Sequence, residues 1–220
     1  ALSGRRIETL SHEIAAARQA RLEGLAEPLR ADGIAVTTRL LTGPIFVEVI
    51  RHVLRHGNDL VLKAAYRGPE RRSLRAPDLH LLRKCPVPVW ILNGPAAPRS
   101  ARVMAAVDPD PDDPVRDALA RMVLQLAASL ARQDAARLDV MHTWTLPEEA
   151  ALSHGLISIP QGEVDAILEA ERLATGRRLD RLLTHFSDSE DTMRVLHIKG
   201  LADDAIPDHV ESEGIDTLVM

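Results

Sequence analysis

The stretch Asn58 to Leu92, NDLVLKAAYRGPERRSLRAPDLHLLRKCPVPVWIL, decides the fold class. It opens with Leu60, Val61 and Leu62 between Asp59 and Lys63, just after a Gly57-Asn58 turn. A continuous apolar run of this kind reads as a strand covered on both faces of a parallel sheet. The stretch closes on a second strand, Val87 to Leu92, whose start is bracketed by Pro86 and Pro88. Proline is tolerated there because the first residue of a strand, or an edge strand, can spare the donor it lacks. Between the two strands lie an arginine-rich loop, Arg67 to Arg75, and a short helix, Pro77 to Lys84. A strand that returns through a helix to a second strand is the crossover of an α/β fold.

Upstream, the same alternation continues. Ile7, Leu10, Ile14, Ala17, Leu22, Leu25 and Leu29 recur at three- and four-residue steps, which predicts one helix laid on a sheet and stopped by Gly33. Ile34 to Leu41 is a predicted strand and Gly43-Pro44 a turn. Phe46, Val49, Ile50, Val53 and Leu54 form the buried stripe of the next helix. Downstream, Gly94 to Pro98 has linker composition, and the pattern then restarts. Val103 to Val107 is a strand. Asp112 and Asp113 suit a helix N-terminus, and Val115, Leu119, Met122, Leu126 and Leu130 supply that helix with an apolar stripe. Further strands are read at Leu138 to Trp144, Thr192 to Lys199 and Ile215 to Met220. The helices between them are Glu163 to Phe186, with its stripe at Leu179, Leu182, Leu183 and Phe186, and Asp203 to Glu213.

One constant shift of 157 residues lays Leu41-Thr-Gly43 on Ile198-Lys-Gly200 and His56-Gly-Asn-Asp-Leu-Val61 on Glu213-Gly-Ile-Asp-Thr-Leu218. Matching a strand, a helix and a strand with one shift indicates a repeat of a whole domain. The first copy starts part-way through and the second stops part-way, so the 220 residues read as part of a longer tandem protein. Residues 1–94 are the closing part of the first unit, 95–100 the linker and 101–220 the opening part of the second.

Composition narrows the function classes. A net charge of -5 with interspersed signs, and 2% aromatic residues, argue against a nucleic-acid partner, which needs a basic field or stacking platforms. The lone Cys85 excludes a disulfide framework within the chain and fits a reducing cytoplasm. No apolar run approaches the ~18 residues of a membrane span.

The segments DLVLKA (Asp59 to Ala64), DLHLLRKCPVPVW (Asp78 to Trp90), AAVDPDPDDP (Ala105 to Pro114) and KGLADDAIPDHVESEGIDTLVM (Lys199 to Met220) together resemble the universal stress protein family, and its tandem group most. The resemblance implies two doubly wound α/β units of the adenine nucleotide alpha hydrolase type. Each unit has a five-stranded parallel sheet of order 3-2-1-4-5, and both are incomplete in this sequence. It further implies an internal pseudo-dimer of the two units, with a homodimer as a further expectation, and a stress-response binding or regulatory role. The family's nucleotide-binding members hold ATP or AMP at the carboxyl ends of the strands. Their marks are an Asp ending the first strand and a glycine-rich phosphate loop after the fourth. Asp108, flanked by Val107 and Pro109, matches the first mark. In the first unit the loop after Lys63 holds only Gly68 among Arg67, Arg71, Arg72 and Arg75, which departs from the glycine pattern.

Each feature also has a plainer reading. Asp108 is a ligand contact or a capping carboxylate of an Asp-Pro loop. The acidic run Asp108, Asp110, Asp112 and Asp113 is a hard-cation site or a solvated helix start. The arginine loop is an anion clamp or a solvated segment. Cys85 is a small buried hydrophobe or, in a cationic accessible setting, a reactive thiolate. His142 and His197 read as core or strand-end histidines. His52 and His56, four apart, could chelate a metal, yet a helix C-terminus accounts for His56 equally well. No nucleophile–base spacing and no Walker loop is present. Two function classes follow: a non-catalytic binding or scaffold protein for a small ligand or protein partner, and an adenine-nucleotide binder with slow hydrolysis in the second unit.

Overall fold

The computed structural model describes residues 2–65, 76–93, 100–146, 160–184, 186 and 193–220, with side chains from residue 9 onward. The loop carrying Arg67, Arg71, Arg72 and Arg75 lies outside the described residues. Two compact units divide the chain, Ala1–Ala96 and Ala97–Met220. Among the described residues no helix is long and apolar enough to cross a membrane.

The first unit comprises α1 (Leu2–Ala31), α2 (Ile45–His56), β1 (Val61–Ala64), α3 (Ala76–Lys84) and β2 (Val89–Leu92). β1 and β2 run parallel, with Val61 opposite Val89 and Ala64 opposite Leu92, the crossover expected from the sequence. Lys63 on β1 reaches across to Asp78 on α3, Nζ to Oδ1 2.5 Å, and the Asp78 side chain is buried. Four expectations are corrected in this unit. Ile34 to Leu41 is not a strand, because composition makes a strand only where a neighbour completes the ladder, and no described segment pairs with it. Its groups turn to α1 instead: Arg30 Nε donates to Val36 O at 3.0 Å, and Gln19 to Thr38 Oγ1 at 2.8 Å. β1 is covered on one side only, its residues alternating half-buried and exposed. The stripe on α1 does not lie on a sheet, since Leu10, Ile14, Leu25 and Leu29 are exposed and Ala26 is buried. On α2, Val53 is buried whereas Leu54 is exposed.

The second unit comprises β3 (Arg102–Ala106), α4 (Pro114–Asp134), β4 (Arg137–Trp144), α5 (Gln161–Leu183), β5 (Met193–Lys199), α6 (Ala202–Glu213) and β6 (Thr217–Val219). All pairings are parallel and the strand order is β5-β4-β3-β6. Within this unit that is third, second, first, fourth, the order the resemblance implies for these four. Because strand side chains alternate, Val103 and Ala105 of β3 and Leu138 and Val140 of β4 share one face with Leu124 and Ala127 of α4 and Leu179 and Leu182 of α5. Each such leucine or valine contributes about 1.5–3 kcal/mol on burial. Met104, Asp139 and Met141 occupy the alternate positions, and Asp139 Oδ2 meets His209 Nε2 of α6 at 3.0 Å.

α4 starts where the sequence placed it. Asp113 is its N-cap, accepting from Val115 N at 3.0 Å and Arg116 N at 3.2 Å, with Pro114 in the first turn. Its buried face, however, is not the bulky stripe. Ala120, Val123, Leu124, Ala127, Ala128 and Ala131 face the sheet, while Val115, Leu119, Met122 and Leu126 face outward and Leu130 is half-buried against the core. Small residues win the inner face because they let the helix axis approach the sheet closely.

Two local devices recur at the 157-residue shift. α2 and α6 are both 12 residues long, and each is closed by a glycine in the left-handed region, Gly57 at φ 64 and Gly214 at φ 63. The glycine N–H donates to Val53 O in one and to Val210 O in the other. Gly43 and Gly200, ahead of those helices, have φ 136 and 153.

Candidate functional site

The carboxyl ends of β3, β4 and β6 open into a cleft of about 550 Å³ in the second unit. That is the place where a doubly wound sheet offers a crevice, and the size is that of a small-molecule site. Val107 and Asp108 line it from the end of β3, and His142, Thr143 and Trp144 from the end of β4. α4 contributes Arg116, Leu119 and Val123, and α5 contributes Glu171, Thr175 and Arg178. Ala202, Ile206 and Met220 close the α6 side.

Asp108 stands at the mouth, its side chain 66% exposed and ion-paired with Arg116. The same guanidinium holds Asp110 at 2.9 Å, and these carboxylates raise the Arg116 pKa, Asp108 most of all. The acidic run thus divides its labour: Asp113 caps α4, while Asp108 and Asp110 share one arginine. Among the described residues no cluster of acids, histidines or cysteines forms a metal site. Val107 is buried at the cleft wall, its N–H donating to Met141 O at 2.9 Å. Pro109 is fully buried and is not among the cleft-lining residues.

Deeper in, polar groups replace the apolar wall. His142, 4% exposed, bonds through Nδ1 to Val107 O at 3.0 Å. Its ring lies flat against that of His197, centroids 5.7 Å apart and planes within 5°. His197 Nε2 is 3.0 Å from Thr175 Oγ1, and the Thr175 hydroxyl donates to the α5 carbonyls of Glu171 at 2.9 Å or Arg172 at 3.2 Å. With its one hydrogen so used, Thr175 accepts from His197 Nε2–H. Burial, aided by the charges of Arg178 and Arg116, pushes the His142 pKa below the ordinary histidine value, against the pull of the Val107 carbonyl and Asp108. The His197 pKa is lowered too, by burial and then by His142 and Arg172. Both rings are neutral near pH 7.

Sequence reasoning named Val107 and Asp108 here and missed Arg116, Glu171, Thr175 and Arg178. A signal existed. Glu171, Thr175 and Arg178 stand at helical steps of four and three on the same stripe as Leu182, so the buried face of α5 turns polar toward its N-terminal half. His142 and His197 are the core or strand-end histidines expected, with the addition that His142 lines the cleft and His197 stacks behind it. Elsewhere, His52 and His56 stack at 4.1 Å, and both ring nitrogens of His56 are engaged, by His52 O and Arg39, both at 3.0 Å. Cys85 is half-buried and free.

No protein-family model matches the chain. Universal stress protein E of Escherichia coli strain K12 is 33% identical over 90 residues, which are 40% of this chain and 28% of that protein. Universal stress protein E of Salmonella typhi is 28% identical over 171 residues, 76% of this chain and 52% of that protein. The chain therefore spans about half the length of these relatives or less. Among solved structures, a chain from Pseudomonas aeruginosa UCBPP-PA14 provisionally named a universal stress protein superposes with a TM-score of 0.67 at 20% identity. That match covers 90% of this chain and 65% of the other and shows the shared α/β fold. In sequence the chain is similar to relatives named universal stress protein E, and in structure it shares the fold of a chain provisionally named a universal stress protein, which together support a place in the universal stress protein family.

Proposed function

We propose that the chain is a non-catalytic binding protein of the stress response, and that the second unit takes a small ligand in the cleft above β3 and β4 without turning it over. The observation that carries this reading is the use made of the cleft's own polar groups. The hydroxyl bonded to a histidine ring beside the cleft, that of Thr175, gives its proton to the α5 backbone and accepts from His197. A hydroxyl in that role is not being deprotonated, so the pair lacks the polarity of a nucleophile and its base. Asp108 stands exposed at the mouth of the cleft, its carboxylate engaged in an ion pair with Arg116.

An adenine nucleotide, AMP or ATP, is the ligand reading that a specific observation favours. Asp108 ends the first strand of the unit, is exposed at the mouth of the cleft, and is paired with a cation that an anionic ligand can also engage. Calorimetric titration of AMP and ATP into the full chain is expected to give saturable binding. Asp108→Ala is expected to weaken it about fivefold, the scale of one partly solvated charge-assisted bond. Phosphate release from ATP is expected to stay at the buffer background over hours. Steady release that tracks protein concentration would replace the non-catalytic reading with slow hydrolysis. A cleft indifferent to nucleotides up to millimolar concentration would leave a different small ligand or a protein partner.

A further inference from the structure

α5 is fastened unevenly along its length. Behind Gly176 it is held by apolar packing, with Leu179 and Leu182 buried in the core and Leu183 beside them. Of its residues ahead of Gly176, only Val164 and Thr175 are buried, while Ile167 and Leu173 are exposed. The fastening of this front part is therefore largely polar. Thr175 Oγ1 meets His197 Nε2 at 3.0 Å, the His197 ring lies flat on that of His142, and His142 Nδ1 donates to Val107 O at 3.0 Å. One chain of contacts thus ties α5 to β5, β4 and the end of β3. Gly176 marks the junction of the two parts, and a glycine inside a helix leaves the backbone freer to bend than any other residue. Helix and ring touch at this point, since a Cβ built on Gly176 would stand 3.6 Å from His197 Cε1 and 3.7 Å from its Nδ1.

Both rings are neutral in a fixed tautomer. Val107 O can only accept, so His142 carries its hydrogen on Nδ1; Thr175 spends its own hydrogen on the helix, so His197 carries its hydrogen on Nε2. A further proton must go to His142 Nε2 or His197 Nδ1. His142 Nε2 has under 1 Å² of accessible surface and no hydrogen-bond partner among the described residues, so an N–H formed there lacks an acceptor while the wall is closed. The surrounding charges do not compensate. Asp108 of β3 and Glu171 and Asp180 of α5 are answered by Arg116 of α4, Arg172 and Arg178 of α5 and Lys199 of β5. β4 adds the uncharged Trp144, and α6 adds Ala202 and Ile206. Water would satisfy both rings if the front of α5 lifted. We infer that this junction is an acid-released latch: on acidification the ring pair takes up a proton, and the part of α5 ahead of Gly176 leaves the sheet while the core under Leu179 and Leu182 stays closed. Glu171 and Thr175 leave the cleft wall with it. The latch governs the wall whatever ligand the cleft takes.

Amide exchange in the full chain, without ligand and between pH 7.5 and 5.5, tests it. The quantity read is the exchange of Val164 to Thr175 relative to that of β3 and β4 at the same pH, which cancels the intrinsic pH dependence of exchange. In wild type this ratio is expected to rise about tenfold per pH unit below about 6.5, as for one proton taken up on opening, and to level off once the folded-state pKa is passed. The double variant His142→Phe with His197→Gln keeps an N–H for Thr175 without a titrating ring, and its ratio is expected to stay flat. A constant ratio in wild type means that acid acts only on global unfolding and overturns the latch. A rise that persists in the double variant assigns the opening to another group and overturns it as well. An optical reading needs no change at either histidine. Trp90→Phe leaves Trp144 as the remaining one of the chain's two tryptophans, 7% exposed and with its ring 5.9 Å from that of His197. Its emission is expected to fall and shift to the red over the same pH range, as imidazolium quenches it and water enters. Emission unchanged in that range overturns the latch.

Discussion

A histidine that is buried neutral makes folding sensitive to acid, and the direction follows from where the protons go. The pKa values of His142 and His197 are both lowered in the fold, while in the unfolded chain they sit near 6.5. As pH falls through about 6.5 the unfolded state takes up protons first, so stability declines from there and stops declining once the folded-state pKa is passed. Melting temperature is expected to drop between pH 7.5 and 5.5, and to drop less in His142→Phe; an identical slope in the variant would remove His142 as the cause. Glu213 works in a separate window. Arg194 and then Arg102, at 3.0 and 2.9 Å, hold its pKa below the ordinary carboxylate value. Its contribution is therefore present above about pH 4.5 and is lost as pH falls through the depressed value, so Glu213→Gln should lower the melting temperature above about pH 4.5, with the difference from wild type shrinking as pH falls through the depressed value. Little of this was legible in the sequence. That Asp108 ends a strand could be read from one dimension. That Arg116, in the first turn of α4, would occupy it could not, because the pairing depends on how the Asp-Pro loop folds back.

At the scale of the element, α4 separates two kinds of apolar residue that a helical wheel cannot rank. Of its bulky stripe, Val115, Leu119, Met122 and Leu126 are exposed and only Leu130 packs against the core, whereas Ala120, Val123, Leu124, Ala127, Ala128 and Ala131 form the buried face. Met122→Lys and Leu126→Lys are expected to change stability by no more than about 0.5 kcal/mol, whereas Leu124→Ala should cost about 2–5 kcal/mol, both read from denaturant melts. A large loss from either lysine variant would mean that the stripe is covered in solution. Existence of the elements was legible throughout the second unit because each has a periodic pattern, while the limits shifted by up to three residues at Gln161–Leu183 and Thr217–Val219. Ile34 to Leu41 failed as a strand for a reason no propensity contains, the lack of a paired neighbour. The capping glycines were legible and are testable. Nothing lies within 4 Å of a Cβ built on Gly57 or Gly214, so Gly→Ala there costs only the left-handed backbone, about 1–2 kcal/mol, with no clash to relieve.

At the scale of the whole molecule, the buried apolar residues among those described fall mostly in the second unit. Among the described residues the first unit has Ala26, Val53 and Leu81, whereas the second has layers on both faces of a four-stranded sheet. Amide exchange in the intact chain is expected to be slow across β3 and β4 and markedly faster across β1 and β2, since protection follows buried contact density. Uniform protection would contradict it. The lining of the cleft belongs to the second unit throughout. A ligand there lends its binding free energy to that unit alone: at one hundred times Kd the linkage amounts to about 2.7 kcal/mol. Saturation should therefore slow exchange about a hundredfold in the most protected amides of β3, β4, α4 and α5, where exchange requires the unit to open, and leave those of α2 and α3 at their unliganded rates. Ligand abundance in the cell would then act as a selective preservative, setting how long one half of the chain escapes proteolysis while the lifetime of the other half is unchanged.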